Sequence, residues 1–152
     1  MTRKTNKGGV KIAIDMKKLF RETEEAWASR NLEKLESLHA DDCVYEDVAR
    51  GVVRKGKKEI SEYFRGLLVG FPDVKFETKG VFFSNNRVCW EWVMTGTHLG
   101  NLESLPATRR TISVRGVTVE EIRGDKKSRV SDYYDEATLL RQLGVIPPAP
   151  QA

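Results

Sequence analysis

Residues 87–98, RVCWEWVMTGTH, constrain the fold more than any other stretch of the chain. A strand sends alternate side chains to opposite faces, so Val88, Trp90, Trp92 and Met94 share one face while Cys89, Glu91, Val93 and Thr95 share the other. Both faces are partly apolar. Such a sheet has to be covered twice, once by helices of its own chain around a core or cavity and once by something else. A second copy of the chain is the simplest second cover, so a homodimer is the default expectation.

The rest of the chain supplies the helices first and the strands afterwards. Met16, Leu19, Phe20, Thr23, Ala26 and Trp27 recur at helical spacing after Asp15, which is placed to cap a first helix. Asn31 caps a second, shorter helix with a stripe of Leu32, Leu35, Leu38 and Ala40, and the two helices predict a hairpin. The alternating run CVYEDV reads as a strand, and Gly51 with RKGKK as the turn into a third helix that Pro72 ends. From Val74 to Asp135 four long antiparallel strands follow, with turns at Ser84-Asn85-Asn86 and Gly124-Asp125 and a loop through Pro106. A short helix, EATLLRQLG, stops at Gly144. At 152 residues this is one α+β domain over 10–144, between an N-terminal tail at 1–9 and a proline-rich C-terminal tail at 145–152.

Composition narrows the function classes. The net charge of +4 arises from basic residues scattered through the tails and turns, without one basic face interleaved with aromatics, so no nucleic acid is expected as a partner. No apolar run suits a membrane span or a secretory signal. Cys43 and Cys89 lie in strand-like runs without CxxC spacing, which fits a reducing cytoplasm. Motifs for nucleotide binding, zinc proteases and serine hydrolases do not occur, and two separated histidines do not make a metal site. No cofactor is expected.

The order of helix hairpin, ADDCVYEDVARG, RKGKKEI with FPDV, VMTGTHLG, LPATRRTISVRG and DYYDEATLLRQLG is similar to that of SnoaL-like polyketide cyclases. The resemblance runs from Met16 to Gly144. It implies a cone-shaped nuclear-transport-factor-2-like fold, with N-terminal helices packed on a strongly curved, mostly antiparallel sheet that encloses a pocket. One departure stands out: the family often carries PPTGR before the strand that TISVRGVTVEEI forms here, the fourth counting from CVYEDV, whereas Pro106-Ala107-Thr108-Arg109-Arg110 stands in this chain, without the glycine.

Enzymes of this class move a proton beside a carbonyl or open an epoxide, and both need an ionisable group within apolar walls. Asp132 shares parity with Val130 and Tyr134, and by the resemblance takes the place of a catalytic aspartate. His98 in TGTHLG is placed to orient an oxygen or carry a proton, and Tyr45 and Asp47 alternate in phase on the first strand. Asp47 resembles by position the base of ketosteroid isomerases, but Thr23 stands near the place of their helix tyrosine. Likewise Trp92 and Met94 fall near the Arg-x-Asp pair of limonene-type epoxide hydrolases. Trp90, Trp92 and Met94 would suit a flat, polycyclic ligand. Arg115, on a face with Ser113 and Val117, is a further substrate-binding candidate, and Gly116 reads as a bulge. Asp135 reads as a helix cap.

These residues predict a cofactor-independent cyclase or isomerase-like enzyme acting on a small hydrophobic carbonyl compound, by intramolecular aldol cyclisation. The competing expectation is a non-catalytic small-molecule-binding or dimerisation domain of the same fold. A cluster of Asp132, His98 and Tyr45 around one cavity would favour the enzyme; a cavity filled by tryptophan would favour the binder.

Overall fold

Apolar periodicity and turn chemistry divide the chain into ten elements, seen in a computed structural model that describes residues 7–151. Their order is α1 (Lys7–Ala28), α2 (Leu32–Ser37), β1 (His39–Asp47), β2 (Val52–Lys55), α3 (Gly56–Gly70), β3 (Lys75–Ser84), β4 (Arg87–Thr97), β5 (Thr111–Arg123), β6 (Lys126–Tyr134) and α4 (Glu136–Gln142). The strands form one sheet in the order β2-β1-β6-β5-β4-β3. Every pairing is antiparallel except β1 with β6, whose parallel register sets Asp47 beside Asp132. That single pairing brings the early part of the chain onto its last strand.

Local signals explain most of the boundaries. The Asn31 side chain accepts from the Lys34 N–H at 2.9 Å, and that of Asp135 accepts from the Thr138 N–H at 3.0 Å, satisfying orphan donors at the starts of α2 and α4. Gly144 adopts φ 75° just past α4, the left-handed conformation that ends helices.

Four expectations are corrected. Asp15 lies inside α1 and does not cap it, because no proline interrupts residues 7–14 and the helical ladder runs on upstream through Gly8 and Gly9 to Lys7. Of the expected tail at 1–9, residues 7–9 are helical and 1–6 lie outside the described residues. The turn expected between β1 and α3 contains β2, since Gly51 at φ 66° reverses the chain and Val52 and Val53 then pair with Asp47 and Glu46. Gly116 is not a bulge: the register runs unbroken through it, and the register shifts fall between His39 and Val44, between Thr78 and Gly80, and between Glu121 and Ile122. Gly116 serves packing instead, because a Cβ there would stand 2.2 Å from the Trp92 ring.

The parity of β4 sorts as its sequence implies. Val88, Trp90, Trp92 and Met94 are buried on the inner face. They meet α1 through aromatic pairs such as Phe20–Trp90 at 5.6 Å, and α1 in turn meets α3 through Trp27–Phe64 at 5.1 Å. The outer face keeps Cys89 and Val93 partly exposed. Basic residues of the surface are paired with carboxylates, as in Lys57–Asp41 at 2.8 Å and Arg87–Glu121 at 2.8 Å. Exposed pairs of this kind add at most about 1 kcal/mol each.

Candidate active site

The inner face of the sheet, α1, α3 and α4 enclose a cavity of about 740 Å³, a volume suited to a polycyclic ligand. Its walls are mainly aromatic and aliphatic. Its mouth lies where Arg50 of the β1–β2 turn meets Glu103 of the β4–β5 loop in a two-pronged pair at 3.0 and 2.7 Å, with Glu136 of α4 at 3.6 Å. The opposite end is closed, and there His39, Glu120 and Lys127 border the cavity although each is buried.

Asp132 sits on the wall between these ends. The β5–β6 register places it opposite Thr118, whose hydroxyl bonds to Oδ1 at 2.6 Å, and the Tyr45 hydroxyl donates to Oδ2. The direction of the chain is forced. Trp92 Nε1 can only donate, and it bonds the Thr118 hydroxyl at 2.8 Å, so the single hydroxyl proton of Thr118 points at Asp132. Burial raises the Asp132 carboxyl to about 6, against the opposing effect of the Thr118 and Tyr45 hydrogen bonds. The carboxylate is therefore oriented at both oxygens, ionised at neutral pH, and basic enough to accept a proton.

Tyr45, Trp90, Trp92, Met94 and Tyr134 border the same cavity as Asp132. Asp47 does not border it. Fully buried behind the wall, it accepts from the Arg50 backbone N–H at 3.1 Å and from the phenols of Tyr63 and Tyr134 at 3.3 and 3.0 Å. Its place is that of an anchor for two aromatic walls, which leaves no room to reach a substrate.

Besides the expected catalytic role of Asp47, two further expectations of position are corrected. His98 lies outside the cavity lining, buried and stacked on Phe71 at 5.4 Å between ring centres. Its Nδ1 accepts from the Thr108 N–H at 3.1 Å, and its backbone bonds Arg109 and Arg110 at 2.9 Å each, so it fastens the β4–β5 loop. Burial lowers its pKa, keeping the ring neutral in that role. Arg115 points from the outer face and pairs with Glu91 at 3.0 Å, with 79% of its side chain exposed, because odd positions of β5 face away from the cavity. The loop also keeps the conformation of the glycine it lacks: Arg109 adopts φ 61°, at a cost of about 1–2 kcal/mol.

Sequence reasoning passed over Arg54, Tyr63, Thr118, Glu120 and Lys127. Parity on β5 marks Thr118 and Glu120 once Val114 is known to face inward. Arg54 carried no signal, since it stood in an expected turn. Its guanidinium lies 4.2 Å from the centre of the Tyr63 ring, borders the cavity, and leaves Nη1 buried without a partner among the described residues.

Comparison with known proteins agrees with this architecture. The profile of the SnoaL-like polyketide cyclases matches residues 17–143. No curated protein sequence matches the chain. Among solved structures, AclR of Streptomyces galilaeus, a candidate hydroxylase, superposes with a TM-score of 0.79 at 24% identity over 92% of this chain and 87% of that one. IdmH of Streptomyces antibioticus, a candidate polyketide cyclase, gives 0.71 at 23% over 85% and 98%. A Catenulispora acidiphila protein with a ketosteroid isomerase-like fold, solved with trimethylamine, gives 0.72 at 23% over 84% and 93%. Likeness at these identities establishes the fold.

Proposed function

The chain belongs to the SnoaL-like polyketide cyclase family, and we propose that it is a cofactor-independent acid–base enzyme that closes a ring in a hydrophobic carbonyl compound by intramolecular aldol addition. The observation that carries this reading is Asp132, a carboxylate raised to about 6 and held at both oxygens on the wall of a largely apolar cavity.

In this reading Asp132 takes a proton from a carbon activated by adjacent carbonyl groups, and the electron pair of the broken C–H bond passes to the carbonyl oxygen as an enolate. Arg54, whose buried Nη1 has no partner among the described residues, supplies the positive charge that the enolate oxygen requires. The nucleophilic carbon then bonds to a second carbonyl carbon of the same molecule. The alkoxide so formed recovers the proton from Asp132, which returns the carboxylate to its starting state. The aromatic walls hold the substrate folded, so the entropy of bringing both carbons together is met on binding.

The test is proton exchange in heavy water at the activated methylene of a β-keto ester, followed by NMR against buffer alone. Exchange should exceed the buffer rate and rise with pH through a midpoint near 6, because the base is the ionised form and is lost as pH falls. Exchange that never exceeds buffer across a β-dicarbonyl series would support the competing reading of a non-catalytic binding domain.

A homodimer through the outer face of the sheet belongs to the same proposal. Val93, Val117 and Val119 are only partly covered there, and Tyr133 is 49% exposed. Sedimentation equilibrium should return twice the 17.3 kDa chain mass at micromolar concentration, and a monomer would remove this part. Among the described residues no helix is long and apolar enough to cross a membrane. The two free cysteines suit a cytoplasmic setting.

A further inference from the structure

The closed end of the cavity is charged, which apolar substrate packing does not require. Lys127 Nζ bonds Glu120 Oε1 at 2.7 Å with both side chains almost wholly buried. A buried pair of this kind does not generally stabilise a fold more than apolar residues of the same size would. Its hydrogen-bonding capacity is also unspent: an ammonium has three donors, and Glu120 Oε2 takes no bond from the described residues. His39 completes the group. Its Nδ1 lies 2.8 Å from the Leu35 carbonyl, which can only accept, so Nδ1 carries the proton and Nε2 offers a lone pair. Burial, reinforced by the charge of Lys127, lowers His39 to about 3 and keeps it neutral.

Donors and acceptors therefore stand together at one point of the cavity wall. A ketone, an ether or a methyl group would use only part of that set, whereas a hydroxyl group accepts from the ammonium and donates to the carboxylate or imidazole at once. The sheet also sets the distance. Glu120 is two residues along β5 from Thr118, which faces Asp132, so the charged pair lies about 7 Å deeper than the carboxylate. That is roughly the length of a bicyclic ring system.

We infer that Lys127, Glu120 and His39 form a recognition subsite for a phenolic or enolic hydroxyl, so that the cavity selects fused-ring ketones hydroxylated at the end remote from the reacting carbonyl. This deepens the cyclase reading and rests on its assignment of Asp132 as the reacting end. The pair then acts on binding and orientation, and no residue of it touches the atoms that react.

The test uses two bicyclic ketones that differ at the remote position, 6-hydroxy-1-tetralone and 6-methoxy-1-tetralone, titrated by quenching of the tryptophans that line the cavity. The intact protein should bind the hydroxyl compound about tenfold or more tighter, as expected for a hydrogen bond to a charged group. The double variant E120Q/K127M, which removes both charges together and so leaves neither one buried alone, should bring the ratio to within about twofold. Asp132→Asn should leave the ratio unchanged. A wild-type ratio near one, or a ratio that survives in the double variant, would overturn the subsite, as would failure of both tetralones to bind. Loss of the cyclase reading alone looks different: Asp132→Asn would keep full proton exchange while the hydroxyl preference persisted.

Discussion

Asp132→Asn is expected to lower the rate of proton abstraction about 10²–10⁴-fold without loss of the fold. The amide replaces the carboxylate atom for atom and fits its hydrogen bonds in one orientation. Its oxygen accepts from Thr118, whose proton direction is dictated by Trp92, and its nitrogen donates to the Tyr45 oxygen. The cost is confined to the Tyr45 hydroxyl proton, which loses Asp132 as its acceptor. Stability should respond in the opposite sense to activity. The folded-state pKa of Asp132 lies above its ordinary value of 3.8, so in the wild type the contribution of Asp132 to stability is full below pH 4 and is lost as pH rises through about 6. The asparagine variant lacks that decline. At pH 8 its melting temperature should therefore equal or exceed that of the wild type, measured by circular dichroism, while its exchange rate collapses. A variant that retains full turnover would show that Asp132 is not the base.

Lys127→Met is expected to cost about 3–5 kcal/mol at pH 8, because it leaves the Glu120 carboxylate buried beside a wall with no cation. For a domain of this size that corresponds to a fall in Tm of roughly 10 °C or more. Pairing the change with Glu120→Gln should restore most of the loss, since the double variant buries no charge. The contrast isolates electrostatics from volume: each methionine fills much the same space. Equal melting temperatures for the single and double variants would mean that water reaching through the cavity already solvates Glu120, and that the pair is not a buried one in energetic effect.

The two faces of β4 and the order of helices and strands were legible in the chain because they depend on local rules, side-chain alternation and turn chemistry, that need no partner. The same rules placed Asp135 as a cap and Asp132 on the inner face. They failed where a residue's role is set by what lies opposite it. Gly116 looked like a bulge until the Trp92 ring was seen to occupy the space of its absent side chain. His98 looked like a proton carrier, yet the loop it fastens folds back over it and shuts it away from the cavity. Arg115 looked like a substrate-binding residue, yet it stands on the outer face and pairs there with Glu91.

What the sequence determined by itself is the α+β class, the inward set of large aromatics and the aspartate on the final strand, since each follows from spacing along one segment. What only the tertiary structure decided is how carboxylates divide the work. The parallel pairing of β1 with β6 sets Asp47 and Asp132 side by side in register, although they lie in distant parts of the chain. Three donors enclose Asp47, so it holds Tyr63 and Tyr134 in place, while Asp132 keeps a face toward the cavity. Arg54 and the Lys127–Glu120 pair enter the cavity wall through the same cross-chain packing. Hydrogen-bond saturation and desolvation are properties of a closed neighbourhood, and those neighbourhoods are assembled from segments that share no local pattern.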